Sequence, residues 1–293
     1  MSKPIVYVDL DGTLSPSDVL MECCMLLLKK NLLYGFLMLW WAARGAWVFK
    51  TELARRVDPV LDHLPIDEVV LQRLQILKSQ GHELVLASAS LKRDVLKVAG
   101  RLGIFDRVIA SESSNLKGLR KLEAIEADSQ GKPFMYFGDA TADLPVWKKA
   151  SMAVGVNVSL RTRGLARSAG IDLSLLQTRT LNLKIWLKAM RLQQWAKNAL
   201  VFLPLVAAHE GRVDLWLTMA WGFLAFGLMA SATYIWNDLM DLNSDRQHPR
   251  KKHRPMASGA LSIPKALVFM KLLGIAGLFA SWFAVGWQFT VVL

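Results

Sequence analysis

The 293-residue chain is predicted to form an α/β doubly wound domain with a helical cap, followed by an all-α transmembrane domain. Charge and hydropathy divide it. Residues 1–180 hold 24 Lys or Arg against 19 Asp or Glu and alternate strand-like with helix-like segments; residues 181–293 hold 12 basic against 5 acidic groups between long apolar runs. Within the first part, apolar strand-like runs end in carboxylates or hydroxyls, and the carboxyl ends of strands are where open α/β sheets bind ligands. The expected domains are 1–176 and 177–293, each long enough to bury a core.

The first element is "IVYVDLDGTL", residues 5–14, a buried-strand pattern ending in two carboxylates and a turn glycine. Alone, this string also fits half a calcium loop or an ordinary strand-end turn. About 70 residues separate it from the next strand, room for a helical cap at about 15–80. Inside that stretch "LLYGFLMLWWAA", residues 32–43, is apolar and bounded by Lys29, Lys30 and Arg44. It is too short to span a bilayer, and one crossing would put Asp9 and Ser88 on opposite sides. Two readings stay open: a buried cap helix, or a helix lying in the plane of a membrane interface. The second strand is "ELVLASAS", 83–90, ending in hydroxyls; "SNLKGLRKL", 114–122, puts a lysine at a helix start; "FMYFGDATADL", 134–144, is a third strand ending in spaced carboxylates.

In this order the four stretches resemble the motifs of the haloacid dehalogenase-like phosphatases, over about residues 3–160. The resemblance implies Asp9 as nucleophile, Asp11 as general acid and base, and Ser88 and Lys117 as the groups holding the transferring phosphoryl oxygens. Ser90 rivals Ser88, since strand alternation puts both on one face. It also implies Mg2+, held by Asp9, Asp139, Asp143 and the backbone carbonyl of Asp11. Phosphomonoester cleavage needs these types: an in-line nucleophile, positive charge for the phosphoryl oxygens and a proton for the leaving alcohol.

In the second part, Leu215–Trp236 is 22 residues without a charge and Leu272–Leu293 is similarly apolar, each enough to cross a bilayer. A shorter third span is expected in "WAKNALVFLPLVAA", 195–208, whose Lys and Asn suit a polar cavity. The strongly basic loop after Trp236 reads as cytoplasmic, which puts the first domain on the cytoplasmic side of a multi-pass inner-membrane protein. The basic balance therefore reflects topology and phosphate handling, with no nucleic-acid partner expected. Cys23 and Cys24, adjacent in a helical stretch, argue against a disulfide framework.

In "NDLMDLNSDRQHPRKKHRP", 237–255, Asp238, Asp241 and Asp245 stand at i, i+3 and i+7, so a continuing helix would put them on one face, where they repel unless a cation sits among them. The alternative is a solvated helix end neutralised by its own Arg and Lys neighbours. The stretch, with "RLQQWAKNALVFLPL" at 191–205, resembles the UbiA superfamily of intramembrane prenyltransferases, and "DRQHPRKKHRP" its decaprenyl-phosphate phosphoribosyltransferase branch. That implies Asn237, Asp238, Asp241 and Asp245 as Mg2+ and diphosphate ligands, with Lys197, Lys252 and Arg254 as further phosphate contacts. The superfamily has about nine membrane helices and a second aspartate-rich motif, whereas no Asp or Glu follows Asp245 here, so only the first three helices are expected, in a truncated product or, the favoured reading, in a fragment of a longer protein.

The leading expectation is a bifunctional membrane enzyme acting on a polyprenyl lipid and phosphorylated small-molecule substrates, one half making a polyprenyl-phosphate phosphoribose and the other removing its sugar phosphate. Two others differ in class: a prenyltransferase for an aromatic acceptor of quinone synthesis, and a phosphatase with a non-catalytic membrane anchor.

Overall fold

The computed structural model describes residues 3–292 and divides into two compact units, Met1–Thr180 and Leu181–Leu293. The first contains β1 (Ile5–Val8), α1 (Val19–Lys30), α2 (Tyr34–Ala43), α3 (Ala46–Ala54), α4 (Glu68–Ser79), β2 (Leu84–Leu91), α5 (Lys92–Leu102), β3 (Arg107–Ser111), α6 (Leu119–Ser129), β4 (Phe134–Gly138), α7 (Leu144–Lys149), β5 (Met152–Val156), α8 (Leu160–Ser168) and β6 (Leu173–Leu176).

The six strands form one parallel sheet in the order β3-β2-β1-β4-β5-β6. The chain leaves β1 toward one edge and returns to β4 on its other side, so the order reverses between β1 and β4 and opens a crevice at their carboxyl ends. The pairing Val8 with Phe137, and the bond from Asp9 N–H to Phe137 O at 2.9 Å, bring Asp9 beside the start of the Asp139 loop. All four β1 residues are buried, as a central strand covered on both faces requires. Ile5 and Tyr7 pack with Val85, Ile125, Tyr136 and Trp147 on one face. Each such fully buried side chain contributes about 1.5–3 kcal/mol.

Helices α1–α3 form the cap region. α1 starts on an Asp18 carboxylate that accepts from Met21 N–H, a normal N-cap, and buries Cys23, Cys24 and Leu27. Of the two readings for the 32–43 stretch, the buried one fails: only Trp41 of α2 is buried, under the Arg56 guanidinium, while Phe36, Leu39 and Trp40 are exposed.

The second unit contains α9 (Leu183–Met190), a 3-10 stretch Leu192–Phe202, α10 (Leu203–Ala207), α11 (Val213–Met240), α12 (Leu242–Gln247), α13 (Ile263–Ala284) and α14 (Trp287–Val292). Helices α11 and α13 are long and apolar enough to cross a membrane, and most of their apolar surface faces outward, unlike the core helices of a water-soluble protein. Three details depart from expectation. The expected Leu272–Leu293 span instead begins at Ile263, after a Ser262 and with Pro264 in its first turn, and ends before Gly286; Leu293 lies outside the described residues. The 195–208 stretch is a 3-10 segment and one short α-helix, anchored by Trp195, whose indole donates to Ser231 Oγ at 3.0 Å and lies where a side chain at Gly227 would be. And α11 ends at Met240, so the three aspartates do not share one helix.

Candidate functional site

The site of the first unit lies at the carboxyl ends of β1, β2 and β4. Asp9, Asp139 and Asp143 each offer a carboxylate oxygen within 4.8 Å of the others, the arrangement a hard divalent cation with oxygen ligands requires. Asp143 is fixed by four donors: the N–H groups of Asp139 and Ala140 at 3.2 and 3.1 Å, the Tyr136 hydroxyl at 2.7 Å and Lys121 Nζ at 3.4 Å. Gly12, at φ +84°, lets the loop after β1 turn against Asp139; a Cβ there would overlap the Asp139 carboxylate.

Asp11 stands apart from that trio. Its Oδ1 accepts from Val19 N–H at 2.8 Å, and its Oδ2 accepts from Ser90 Oγ at 2.6 Å and, more weakly, from Ser88 Oγ at 3.4 Å. Ser88 Oγ in turn accepts from Ser90 N–H at 3.0 Å. Of the two rival serines, Ser90 is the stronger partner of Asp11 and Ser88 the more deeply buried.

The lysine at the carboxylates is Lys121. Its Nζ lies 3.0 Å from Asp9 Oδ1 and 3.4 Å from Asp143 Oδ1, and its side chain is buried. Lys117, expected in this role, is exposed in the loop before α6. Lys121 belongs to the buried face of α6, with Leu122, Ile125 and Ser129. A lysine on the apolar stripe of a helix is the signal that could have revealed it.

Burial raises Asp9 to about 6; the Asp143 charge adds to the shift and Lys121 opposes it. Burial, with the Asp18 charge, raises Asp11 to about 7 against the Ser90 hydrogen bond. Asp139 is pushed well up by burial and by Asp9 and Asp143. Burial disfavours the Lys121 ammonium, yet Asp9 and Asp143 outweigh it and raise its pKa. Three crowded carboxylates with one ammonium leave excess negative charge, which fits a divalent cation among Asp9, Asp139 and Asp143.

Two cap and linker residues close around this site. Lys50 of α3 is buried and donates to Ala89 O and Asn115 Oδ1, both at 2.6 Å. Arg179 donates to Gly12 O at 2.8 Å and pairs with Asp67 at 3.2 Å, tying the segment after β6 to the loop that carries Asp11.

In the second unit, Asp238 at the end of α11 and Asp245 of α12 are buried, and the Arg254 guanidinium bridges them at 3.1 and 2.6 Å. Arg191 pairs with Asp238 as well and stacks on Tyr234. Asp241 sits at the break between the helices and is half-buried, Asn237 is exposed, and so are Lys197 and Lys252. The basic neighbours thus meet Asp238 and Asp245 directly, and Arg191 was not foreseen.

Residues 6–148 match the haloacid dehalogenase-like hydrolase family and residues 199–293 the UbiA prenyltransferase family. An uncharacterized protein, y4nM, of Sinorhizobium fredii is 37% identical over 271 residues, 87% of this chain and 50% of that protein. The decaprenyl-phosphate phosphoribosyltransferase of Mycobacterium tuberculosis is 37% identical over 100 residues, 32% of this chain and 33% of that protein. The chain therefore spans half or less of the length of these curated relatives. Among solved structures, a protein with unknown function from Bordetella pertussis Tohama I covers 59% of this chain and 99% of its own, at 14% identity and TM-score 0.45.

Proposed function

We propose that this chain, which joins a haloacid dehalogenase-like hydrolase domain to a UbiA prenyltransferase family domain, hydrolyses a phosphomonoester in the first and takes part in phosphoribose transfer to a polyprenyl phosphate in the second. The observation that carries the first half is the Asp9 carboxylate facing Lys121, Asp139 and Asp143, with Asp11, whose pKa burial raises, two residues on.

Asp9 attacks phosphorus, a bond forming from its carboxylate oxygen as the bond to the alcohol oxygen breaks. Asp11 gives its proton to the departing alkoxide. It then takes a proton from the water that attacks phosphorus, releasing phosphate and freeing Asp9. Lys121 neutralises negative charge beside Asp9 throughout, and Ser88 and Ser90 offer hydroxyls to the phosphoryl oxygens and to Asp11. Asp9, Asp139, Asp143 and the Asp11 carbonyl would hold Mg2+, which would supply positive charge for the phosphoryl oxygens.

For the second half, the support is the "NDLMDLNSD" stretch and the likeness to a protein named decaprenyl-phosphate phosphoribosyltransferase. Asn237, Asp238, Asp241 and Asp245 would hold the Mg2+ of phosphoribosyl pyrophosphate, with Arg254, Lys252 and Lys197 meeting its diphosphate. The lipid phosphate oxygen attacks ribose C1 as the bond from C1 to the diphosphate oxygen breaks. The product keeps a phosphomonoester on its sugar, the bond the first domain cleaves. The reading puts this domain on the cytoplasmic side of the inner membrane, supported by the basic loop after α11.

The experiment is Mg2+-dependent hydrolysis of p-nitrophenyl phosphate by the full chain and by Asp9→Asn. Loss of activity in the variant supports the aspartyl-phosphate route; equal activity in both refutes it. Labelled phosphoribosyl pyrophosphate supplied to membranes containing the full-length protein tests the transferase. Label that never reaches lipid ends that half of the reading.

A further inference from the structure

We propose that α2 docks the phosphatase unit onto an anionic bilayer surface, so that its phosphomonoester is taken from a lipid lying in that surface. The inference rests on the hydrolase reading above for the substrate, and on geometry alone for the docking.

Within nine residues, Leu32, Leu33, Phe36, Leu37, Leu39 and Trp40 are all exposed, from 42% to 74%. Elsewhere in this unit the exposed large apolar residues stand singly, no two closer than five positions in sequence. A contiguous patch of this kind marks an interaction surface. Its shape selects the partner. The exposed positions of α2 sweep roughly 200° of the helix circumference, because only Trp41 is buried and no polar side chain interrupts the turn. A partner protein's groove accepts one apolar stripe of a helix; a fluid acyl surface accepts more than half of its girth.

Charge points the same way. No Asp or Glu occurs between Glu22 and Glu52, while Lys29 and Lys30 are exposed just before α2 and Arg44 just after it. Arg44 folds over the Trp40 ring at 4.9 Å, an amphipathic pair suited to the headgroup boundary. Basic residues at both ends of an apolar helix fit anionic headgroups above buried acyl chains. Ten residues give a helix of about 15 Å, which cannot cross the hydrocarbon layer and so lies in its plane. The same polypeptide carries two helices long enough to cross a membrane, so a bilayer is always at hand.

The docked helix continues through Gly45 into α3, whose Lys50 reaches Ala89 and Asn115 at the mouth of the catalytic crevice. Docking through α2 is thus linked by one short helix to a residue bonded beside Ser88 and Ser90.

The test uses the full chain in vesicles of phosphatidylcholine with phosphatidylglycerol. A polarity-sensitive fluorophore is attached at Phe36→Cys and, as a control on the same unit, at Leu160→Cys, where the native side chain is 84% exposed. Cys23 and Cys24 are buried, with thiols pushed to higher pKa by that burial, so labelling is selective. The expected result is a blue-shifted emission at position 36, quenched several-fold more by acyl-brominated lipid than at 160, and weakened when phosphatidylglycerol is omitted. A water-like emission at 36 overturns the proposal. So does a label equally shielded in detergent and untouched by brominated lipid, which would mean that protein covers the helix.

The substrate is tested by comparing phosphatidate in the vesicles with soluble p-nitrophenyl phosphate. Leu39→Glu with Trp40→Glu should lower the ratio of the two rates at least about tenfold; an unchanged ratio overturns the lipid assignment. If Asp9→Asn leaves both rates intact, the hydrolase reading fails while the label result still decides docking.

Discussion

Lys121 Nζ lies 3.0 Å from Asp9 Oδ1, an ion pair with both side chains nearly closed to solvent. Residues 112 positions apart in sequence meet because α6 packs, through Leu122 and Ile125, in the same core cluster as Ile5 and Tyr7 of β1. Lys121→Ala should lower phosphomonoester hydrolysis by about 10²–10³ in kcat, the loss seen when one fixed donor to a developing oxyanion is removed. Lys117→Ala, at an exposed position, should change kcat by less than about threefold. Steady-state hydrolysis by both variants decides between the two lysines, and the reverse ranking would exclude Lys121.

Asp11, raised to about 7, keeps its proton below neutral pH and loses it above. As a proton donor it is active below that value, so kcat/KM should fall as pH rises through about 7. The Ser90 hydrogen bond stabilises the charged form, so Ser90→Ala should move that alkaline limb to higher pH. A pH profile with an unmoved limb in the variant would show that Asp11 is not the titrating donor.

The same carboxylates make stability depend on pH. Asp9 and Asp11 rise from 3.8 to about 6 and about 7 on folding, so their contribution is fully present below about pH 4 and lost as pH climbs through 7. Without Mg2+, the unfolding temperature of the phosphatase unit should fall between pH 5 and 8, and added Mg2+ should restore more at pH 8 than at pH 5. Thermal unfolding of the detergent-solubilised chain at the two pH values measures this; equal Mg2+ effects would contradict it.

In the second unit, Arg254 bridges Asp238 and Asp245, whose side chains are almost fully buried. Arg254→Ala should destabilise the unit by about 3 kcal/mol, since it removes the ion pair of buried Asp245 and leaves buried Asp238 with Arg191 alone. Lys252→Ala, at an exposed residue, should leave stability within about 0.5 kcal/mol. Denaturation in detergent distinguishes them, and equal effects would mean that the bridge is not what holds α11 to α12.

Much of this protein was legible in its residues. β1, β2 and β4 could be located because a central parallel strand must be apolar on both faces and must end where polar ligands begin, and α11 because a span admits no charge over some twenty residues. The carboxylates Asp9, Asp139 and Asp143 stood in runs that end strands, and the resemblance implied that they act together; sheet register is what carries those strand ends to one place. What only the tertiary structure decided depends on contacts across space. Helical periodicity gives Lys121 a face but not the partner opposite it; that partner is set by strand order. The exposure of α2 was open because an apolar helix reads alike whether a core or a membrane covers it. The break at Asp241 was hidden because three aspartates at helical spacing satisfy a helix locally, while Arg254, arriving from the following loop, rewards the bent path that lets one guanidinium reach two of them.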